Sequence, residues 1–261
     1  MRIAQLEAQL KHEQQEGPGR MTFAGINSVQ RVSETMRRLR HVDGLTHFAV
    51  AGTVGSGKSS LINSIRGLHT RDPGAAGVGT GETTMAVTRH EDPDLERNPY
   101  VWYDSPGLGT LRPNQSDVAY FLEQGLFIFD CVIVVFDARF TAADIAVLKC
   151  CHKLDISAYI VRSKALMHIQ NTVGDMAGRG DTAGNPTDYC RGAREKFLSE
   201  TRATVANNLK EAGLEEQRVY VVDKTTMLQV VLLEDPGDKL LHEGELLSDV
   251  LCEMQRRSRA R

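Results

Sequence analysis

The glycine-rich run Gly52-Thr-Val-Gly-Ser-Gly-Lys58-Ser59 directly follows the apolar stretch Phe48-Ala-Val-Ala51. Such a run can hold phosphates. The main chain at Gly52, Thr53, Val54, Gly55, Ser56 and Gly57 can close its N–H groups around a phosphate. A helix starting near Ser60 adds positive potential at its N-terminus. Lys58 then bridges the β- and γ-phosphates of a nucleoside triphosphate, and the Ser59 hydroxyl is a magnesium ligand. The pattern GxxxxGK[ST] is complete, and it has the strand before and helix after that the motif requires. A tight strand–helix turn would need glycine only for space and has no use for the Lys-Ser pair. The run predicts a nucleoside triphosphate site.

Two further stretches extend that chemistry. Tyr100-Val-Trp-Tyr-Asp104-Ser-Pro-Gly107 sets an acid at the end of an apolar strand, followed by Pro-Gly. In a protein with a phosphate loop, Asp104 holds magnesium, usually through a water, and the Gly107 N–H meets the γ-phosphate. Between the two lies Gly77-Val-Gly-Thr-Gly-Glu-Thr83-Thr84, where a threonine can reach both the metal and the γ-phosphate. Thr84 is the first choice, with Thr83 and Thr80 as alternatives, because one sequence leaves the register open. The metal set is thus Ser59, Thr84 and Asp104, and the catalytic set is Lys58, Thr84 and Gly107. A transport-type ATPase is disfavoured, since there is no Ser-Gly-Gly-Gln signature and no glutamate after Asp104. A small-molecule kinase would want an arginine-rich lid, and residues 179–191 are too sparse for one.

These loops need a scaffold. Strand-like apolar runs cover residues 47–51, 99–103, 131–136, 158–161 and 219–222, with helical patterns at 59–65, 116–125, 142–152 and 191–212. Alternation of this kind predicts an α/β fold with a parallel sheet covered on both faces and ligands at the carboxyl ends of its strands. Residues 1–45 read as a helical arm: Ile3, Leu6 and Leu10 before a Gly-Pro-Gly break, then Ile26, Val29, Val32, Met36 and Leu39 on one face. Residues 46–235 form the nucleotide domain, within which 172–186 reads as a Gly/Asp-rich surface loop. Residues 236–261 read as an amphipathic helix with a basic tail. That tail reads chiefly as a solvated helix end, and four arginines on one short helix would give marginal membrane binding at most.

Bulk properties narrow the class. The 261 residues carry a formal net charge of −3, which gives no reason to expect a nucleic-acid partner. The longest apolar run, Cys131-Val-Ile-Val-Val-Phe136, falls far short of the roughly 20 residues of a membrane span. Five cysteines without a CxxC pair suggest neither a disulfide framework nor a zinc site. No signal peptide is apparent, so the expectation is a cytoplasmic protein, at most peripheral on internal membranes.

The stretches "AGTVGSGKSSLINSIRG", "GETTMAVTRH", "NPYVWYDSPGLGT", "FDARFTAADIAVLK" and "ISAYIVRSKA" together resemble the immunity-related GTPases of the dynamin-like superfamily, in order and spacing. The resemblance covers about residues 47–223. It implies a three-layer P-loop NTPase fold with a six-stranded, mostly parallel sheet. It also implies Mg²⁺ as cofactor and GTP hydrolysis to GDP, stimulated by a homodimer or oligomer formed through the nucleotide face. Vertebrate members act on intracellular membranes through a long helical domain, whereas barely forty residues follow Asp223 here.

Two positions depart from that family. Its base-reading motif is Thr-Lys-x-Asp, where this chain has Ser163-Lys164-Ala165-Leu166. Lys164 can still lie along the base, and Asp223-Lys224 sits where a backbone N–H meets the guanine oxygen. The lost carboxylate should weaken guanine binding by roughly ten- to several-hundred-fold. Gln170 or Asn171 are the nearest polar substitutes. The second departure is Leu108, where many small GTPases place the glutamine that orients water. Slow intrinsic turnover follows, with Glu82 the best local base. Arg89 and His90 read as surface residues at a strand end. Two readings remain: a slow GTPase activated by self-association, and a degenerate nucleotide-holding interaction module with weak guanine selectivity.

Overall fold

In the computed structural model the described residues are 29–78, 86–108, 117–177 and 186–259. Six strands form one sheet in the order β2-β3-β1-β4-β5-β6. They are β1 (Thr46–Ala51), β2 (Thr88–Glu91), β3 (Tyr100–Asp104), β4 (Cys131–Phe136), β5 (Ser157–Arg162) and β6 (Val219–Val221). Only β2 runs antiparallel, pairing Thr88 with Asp104 and Glu91 with Val101 at one edge. The other neighbours are parallel. The helices are α1 (Val29–Arg38), α2 (Lys58–Ile65), α3 (Asp117–Gln124), α4 (Ala142–Lys153), α5 (Ala165–Ala177), α6 (Pro186–Glu211), α7 (Lys224–Val231) and α8 (Glu243–Arg259).

The central strands are apolar throughout because both of their faces are covered. Every residue of β4 is buried. Alternate residues of β1 go to opposite layers, as strand geometry requires. Ala49 and Ala51 join Tyr103, Val132 and Val134 in a core closed by residues of α1, α3, α4 and α6. Phe48 and Val50 join Trp102, Ile133 and Val135 in a second core, closed by α2, α7 and α8. Phe48 stacks on Trp102 there, ring centroids 4.4 Å apart. The result is the three-layer α/β architecture with a six-stranded, mostly parallel sheet.

Several boundaries differ from the pattern reading. Residues 172–186 were expected to be loop, yet α5 continues through Thr172 to Ala177. Its Ile169 packs beside Ala165, Phe197 and Val221, a contact with α6 that local composition does not announce. Residues 178–185 lie outside the described set. The edge strand β2, which holds Arg89 and His90, is absent from the apolar runs because TRHE has no apolar alternation. The second half of the N-terminal arm is α1, whose Val32 is buried in the first core together with Leu39 just beyond it. The first half, residues 1–28, is outside the description.

The C-terminal helix spends its apolar face on the sheet. Leu246 and Val250 of α8 are buried in the second core. Tyr159 and Tyr220 donate to Asp249, at its carbonyl (3.0 Å) and Oδ2 (2.6 Å). The side chains of 256–261, the expected basic tail, are outside the described set. Among the described residues no helix is long and apolar enough to cross a membrane.

Candidate functional site

The glycine loop connects β1 to α2 and is shaped by its neighbours. Gly52 adopts φ +145°, and a Cβ there would lie 1.9 Å from the Val135 carbonyl oxygen of β4. Only glycine lets the chain leave β1 so close to β4. At the far end Gly57 caps α2 in a left-handed conformation, with no side-chain cap on the helix and no acid in its first turn. The first N–H groups of α2 therefore remain available to an anion. Lys58 Nζ arches back over the loop to the carbonyls of Gly52 (3.2 Å) and Thr53 (3.1 Å). Burial pulls the Lys58 pKa down, opposed by the carboxylates of Asp104 and Asp144. A desolvated ammonium held among carbonyls is a strong receptor for an incoming phosphate. Ser60 sits in the first turn of α2, where its carbonyl accepts from Ser64 Oγ at 2.9 Å.

The second loop lies directly against the first. Val50 is in register with Asp104. The chains stay linked past the strand ends: Ser105 N donates to Val50 O (3.2 Å) and Leu108 N to Gly52 O (2.9 Å). A Cβ on Gly107 would stand 2.8 Å from the Val54 backbone nitrogen, so glycine is needed for this close approach. Ser59 Oγ donates to Asp104 Oδ2 at 2.5 Å. A hydroxyl and a carboxylate at the head of α2 are hard oxygen donors. Such a pair suits Mg²⁺, which takes few protein ligands and completes its shell with water and phosphate. Among the described residues no cluster of three or more His, Cys, Asp or Glu forms a protein-only metal cage. Leu108 is 2% exposed and belongs to the first core, while its backbone pairs with the glycine loop at Thr53.

Thr84, its alternatives Thr83 and Thr80, and Glu82 all lie outside the described residues. Both flanks of that segment are tied to α2. Asn63 exchanges two hydrogen bonds with Ala76, 2.9 Å and 2.6 Å. Arg66, which follows α2, donates to Gly74 O and Glu91 O, each at 2.9 Å. Arg89 pairs with Glu91 on the edge strand and His90 contacts Thr88, but neither is a plain surface residue: the Arg89 side chain is 18% exposed and burial lowers the His90 pKa.

On the base side, Ser163 ties three segments together. Its hydroxyl donates to Ser56 O of the glycine loop (2.6 Å) and its N–H to Phe136 O (2.9 Å). Lys164 takes a left-handed backbone, φ 55°. Its ammonium pairs with Asp137 Oδ2 at 2.7 Å, and His168 holds Oδ1 of the same carboxylate. Burial pushes the Asp137 carboxyl up, but Lys164 and His168 outweigh it and hold the group below the usual carboxylate range. Leu166 is half-buried in the first turn of α5, and Gln170 and Asn171 are exposed one turn further on.

Asp223 N-caps α7, accepting from Thr225 N at 2.9 Å, while Lys224 is exposed. Glu243 buttresses this loop from behind, accepting from Asp223 N (2.9 Å) and Leu241 N (2.7 Å).

Pattern reading missed Asp137, His168, Asn63, Arg66 and Glu243. Asp137 had a usable signal, since it follows an apolar strand just as Asp104 does. The Arg-Phe-Thr-x-x-Asp stretch proves to be a capping box. Thr141 Oγ1 accepts from Asp144 N, and Asp144 accepts from Thr141 N.

Comparison with known proteins supplies the lineage. The model of the family described as Interferon-inducible GTPase (IIGP) matches residues 25–230. Interferon-inducible GTPase 1 of Mus musculus is 29% identical over 187 residues, 70% of this chain and 41% of that protein. T-cell-specific guanine nucleotide triphosphate-binding protein 2 of Mus musculus is 29% identical over 224 residues, 82% of this chain and 50% of the relative. Interferon-inducible GTPase 5 of Rattus norvegicus is 31% identical over 173 residues, 66% of this chain and 34% of the relative. The chain thus spans about half the length, or less, of the relatives it matches. With the glycine loop, the acid-bearing second loop and the Ser-Lys turn at the carboxyl ends of one sheet, the chain belongs to the interferon-inducible GTPase family.

Proposed function

We propose that this chain is a Mg²⁺-dependent GTP-binding domain that hydrolyses GTP to GDP and phosphate, slowly on its own. The observation that carries the reading is the buried Lys58 ammonium arched over the glycine loop, beside the Ser59–Asp104 pair. Main-chain N–H groups from Gly52 to Ser60 cradle the phosphates, and Lys58 balances the charge on the transferred group. Ser59, Asp104 and Thr84 hold the metal, whose charge offsets that of the β- and γ-phosphates. Gly107, wedged against Val54, offers its N–H to the γ-phosphate. Ser163, Lys164, Asp223 and Lys224 form the base side.

The names of the relatives, interferon-inducible GTPases and a guanine nucleotide triphosphate-binding protein, support guanine as the base. Leu108 is a core residue, so water must be oriented from elsewhere: by backbone, by the threonine segment with Glu82, or by a second protomer. Val54 on the glycine loop and Met167 on the first turn of α5 are about half exposed. They offer apolar contact for a homodimer through the nucleotide face. Membrane contact, where it occurs, is peripheral, and no feature calls for nucleic acid.

One observation favours a second reading. Leu166 leaves the base turn without its carboxylate, which suits a nucleotide-holding interaction module of weak base selectivity. Equilibrium titration of labelled GTP and ATP with Mg²⁺, on wild type and Lys58→Ala, tests the first claim. Wild type should bind, and Lys58→Ala should lose at least about tenfold in affinity. Turnover per protomer that rises with protein concentration supports the GTPase. Binding with no phosphate release at any concentration favours the module, and a wild type that binds neither nucleotide refutes both.

A further inference from the structure

The carboxylate missing from position 166 has a counterpart one strand away. Asp137 follows β4 at the carboxyl end of the sheet, beside the Ser163-Lys164 turn. It holds Lys164 Nζ at 2.7 Å through one oxygen and His168 Nε2 through the other. Its own carbonyl accepts from Arg162 Nε at 3.1 Å, which fixes the loop behind it. His168 is itself braced: its ring stacks on Phe197 with centroids 5.5 Å apart and planes 18° apart. The Arg162 guanidinium lies over the Phe197 ring too, 4.2 Å from its centroid. The Lys164 side chain remains 40% exposed, so without Asp137 its four-carbon stem would be free to sample many rotamers.

We infer that Asp137, braced by His168, is a positioning residue for nucleotide binding: it fixes the Lys164 ammonium so that the lysine stem is held in one geometry on the base side before nucleotide arrives. This rests on the nucleotide-site reading given above. A lysine side chain carries considerable rotamer entropy, and ordering it in advance removes part of that cost from binding. The gain does not depend on which purine lies against the stem. A chain lacking the guanine-reading carboxylate thus keeps affinity on its base side while giving up selectivity.

The test uses the full chain with Mg²⁺ and labelled GDP, GTP and ATP, on wild type, Asp137→Asn, Lys164→Ala and the double variant. Asp137→Asn should weaken all three nucleotides by the same factor, about two- to fivefold. In the Lys164→Ala background it should have no further effect, because Asp137 acts through the lysine. Turnover at saturating GTP should be unchanged while KM rises. Unchanged affinity in Asp137→Asn, losses that simply add in the double variant, or a loss confined to guanine nucleotides would each overturn the inference. Should Asp137→Asn melt below the assay temperature, His168→Ala replaces it, with a smaller uniform loss expected and no change counting against the idea. A wild type that binds none of the three refutes the nucleotide reading itself, which separates that failure from this one.

Discussion

Leu166→Asp should create guanine selectivity on a base side that lacks its carboxylate. Leu166 is half-buried in the first turn of α5, next to the Lys164 turn. That first turn contains no acid, so a carboxylate gains about 0.3–1 kcal/mol from the helix dipole. Guanine presents two donors on its Watson–Crick edge, and each hydrogen bond to a charged acceptor contributes about 1.5–3 kcal/mol net. Adenine presents an acceptor in place of one of those donors, so it gains nothing and leaves a carboxylate oxygen facing a lone pair. Desolvating a half-buried carboxylate offsets part of the benefit. A net preference of about 1.5–3 kcal/mol remains, a factor of roughly ten to 150 in the ratio of ATP to GTP dissociation constants. Competition of unlabelled GTP and ATP against one labelled nucleotide measures that ratio directly. The reasoning fails if Leu166→Asp folds and binds nucleotide as well as wild type, yet shows the wild-type ratio. Selectivity would then reside elsewhere, in the backbone around Asp223-Lys224.

Two further substitutions test how the scaffold supports the site. Gly52→Ala drives a methyl into the Val135 carbonyl, which a built Cβ approaches to 1.9 Å. The β1–β4 pair must move apart, so stability should fall by about 2–4 kcal/mol and the melting temperature by roughly 5–10 °C. A melt within 1–2 °C of wild type, by about that margin, would contradict the packing argument. Leu108→Gln tempts as a gain of the water-orienting glutamine, but Leu108 is 2% exposed in the first core. An unpaired amide there should cost about 2–4 kcal/mol and leave turnover no faster; accelerated hydrolysis would show that this side chain does reach the phosphates.

His242 supplies the pH test. Its Nδ1 accepts from Val221 N at 3.0 Å, which requires an unprotonated Nδ1. Burial lowers its pKa below 6.5; Glu245 opposes this, and Arg202, Arg218 and Arg194 reinforce it. The unfolded chain therefore takes up the proton first, and stability is lost as pH falls from the ordinary histidine value through the lowered one. His242→Asn keeps an acceptor for Val221 and should flatten melting temperature against pH in that mildly acidic window. An identical acid slope in the variant would remove His242 from the account.

How much of this was legible depended on whether a residue's partner was near it in sequence. The glycine loop and its Lys58-Ser59 pair form a recognisable pattern because they are consecutive in the chain. The structure brings Ser59 and Asp104 into hydrogen-bond contact, and Asp104 stands out in sequence as an acid closing an apolar strand. The same rule would have flagged Asp137, but its role depends on Lys164 and His168, 27 and 31 residues away. No local pattern shows that pairing. Helix α5 is hard to read because Gly174 and Asp175 weaken its propensity, while Ala165, His168 and Ile169 hold it beside Phe197 of α6. Leu108 reads in sequence as a side chain unable to orient water; that it packs in the first core while its N–H bonds Gly52 O could not be read locally. The C-terminal stretch reads as amphipathic, and the helix runs over Glu243–Arg259, but no local pattern announces that Leu246 and Val250 join the core of Trp102 and Ile133.

The two halves of the site differ in what builds them, and that difference bears on what sequence change can reach. The phosphate half rests on main chain: carbonyls of Gly52 and Thr53 hold Lys58, and Leu108 N is bonded to Gly52 O. Glycine close approaches at 52 and 107 lock these segments together, so almost any substitution there disturbs the fold along with the site. The base half rests on side chains: Ser163 on Ser56, Lys164 on Asp137, Asp223 on Thr225. The α2 helix adds a mechanical link, since Lys58 and Ser59 stand at its start while Asn63 and Arg66 hold both flanks of the threonine segment near its end. Loss of γ-phosphate at one end of that helix is thus one rigid element away from the segment expected to sense it. The base turn also meets the glycine loop, but through a single side chain, Ser163 Oγ on Ser56 O. Under the proposed function, Ser163→Ala therefore tests whether base-side changes reach the phosphate loop.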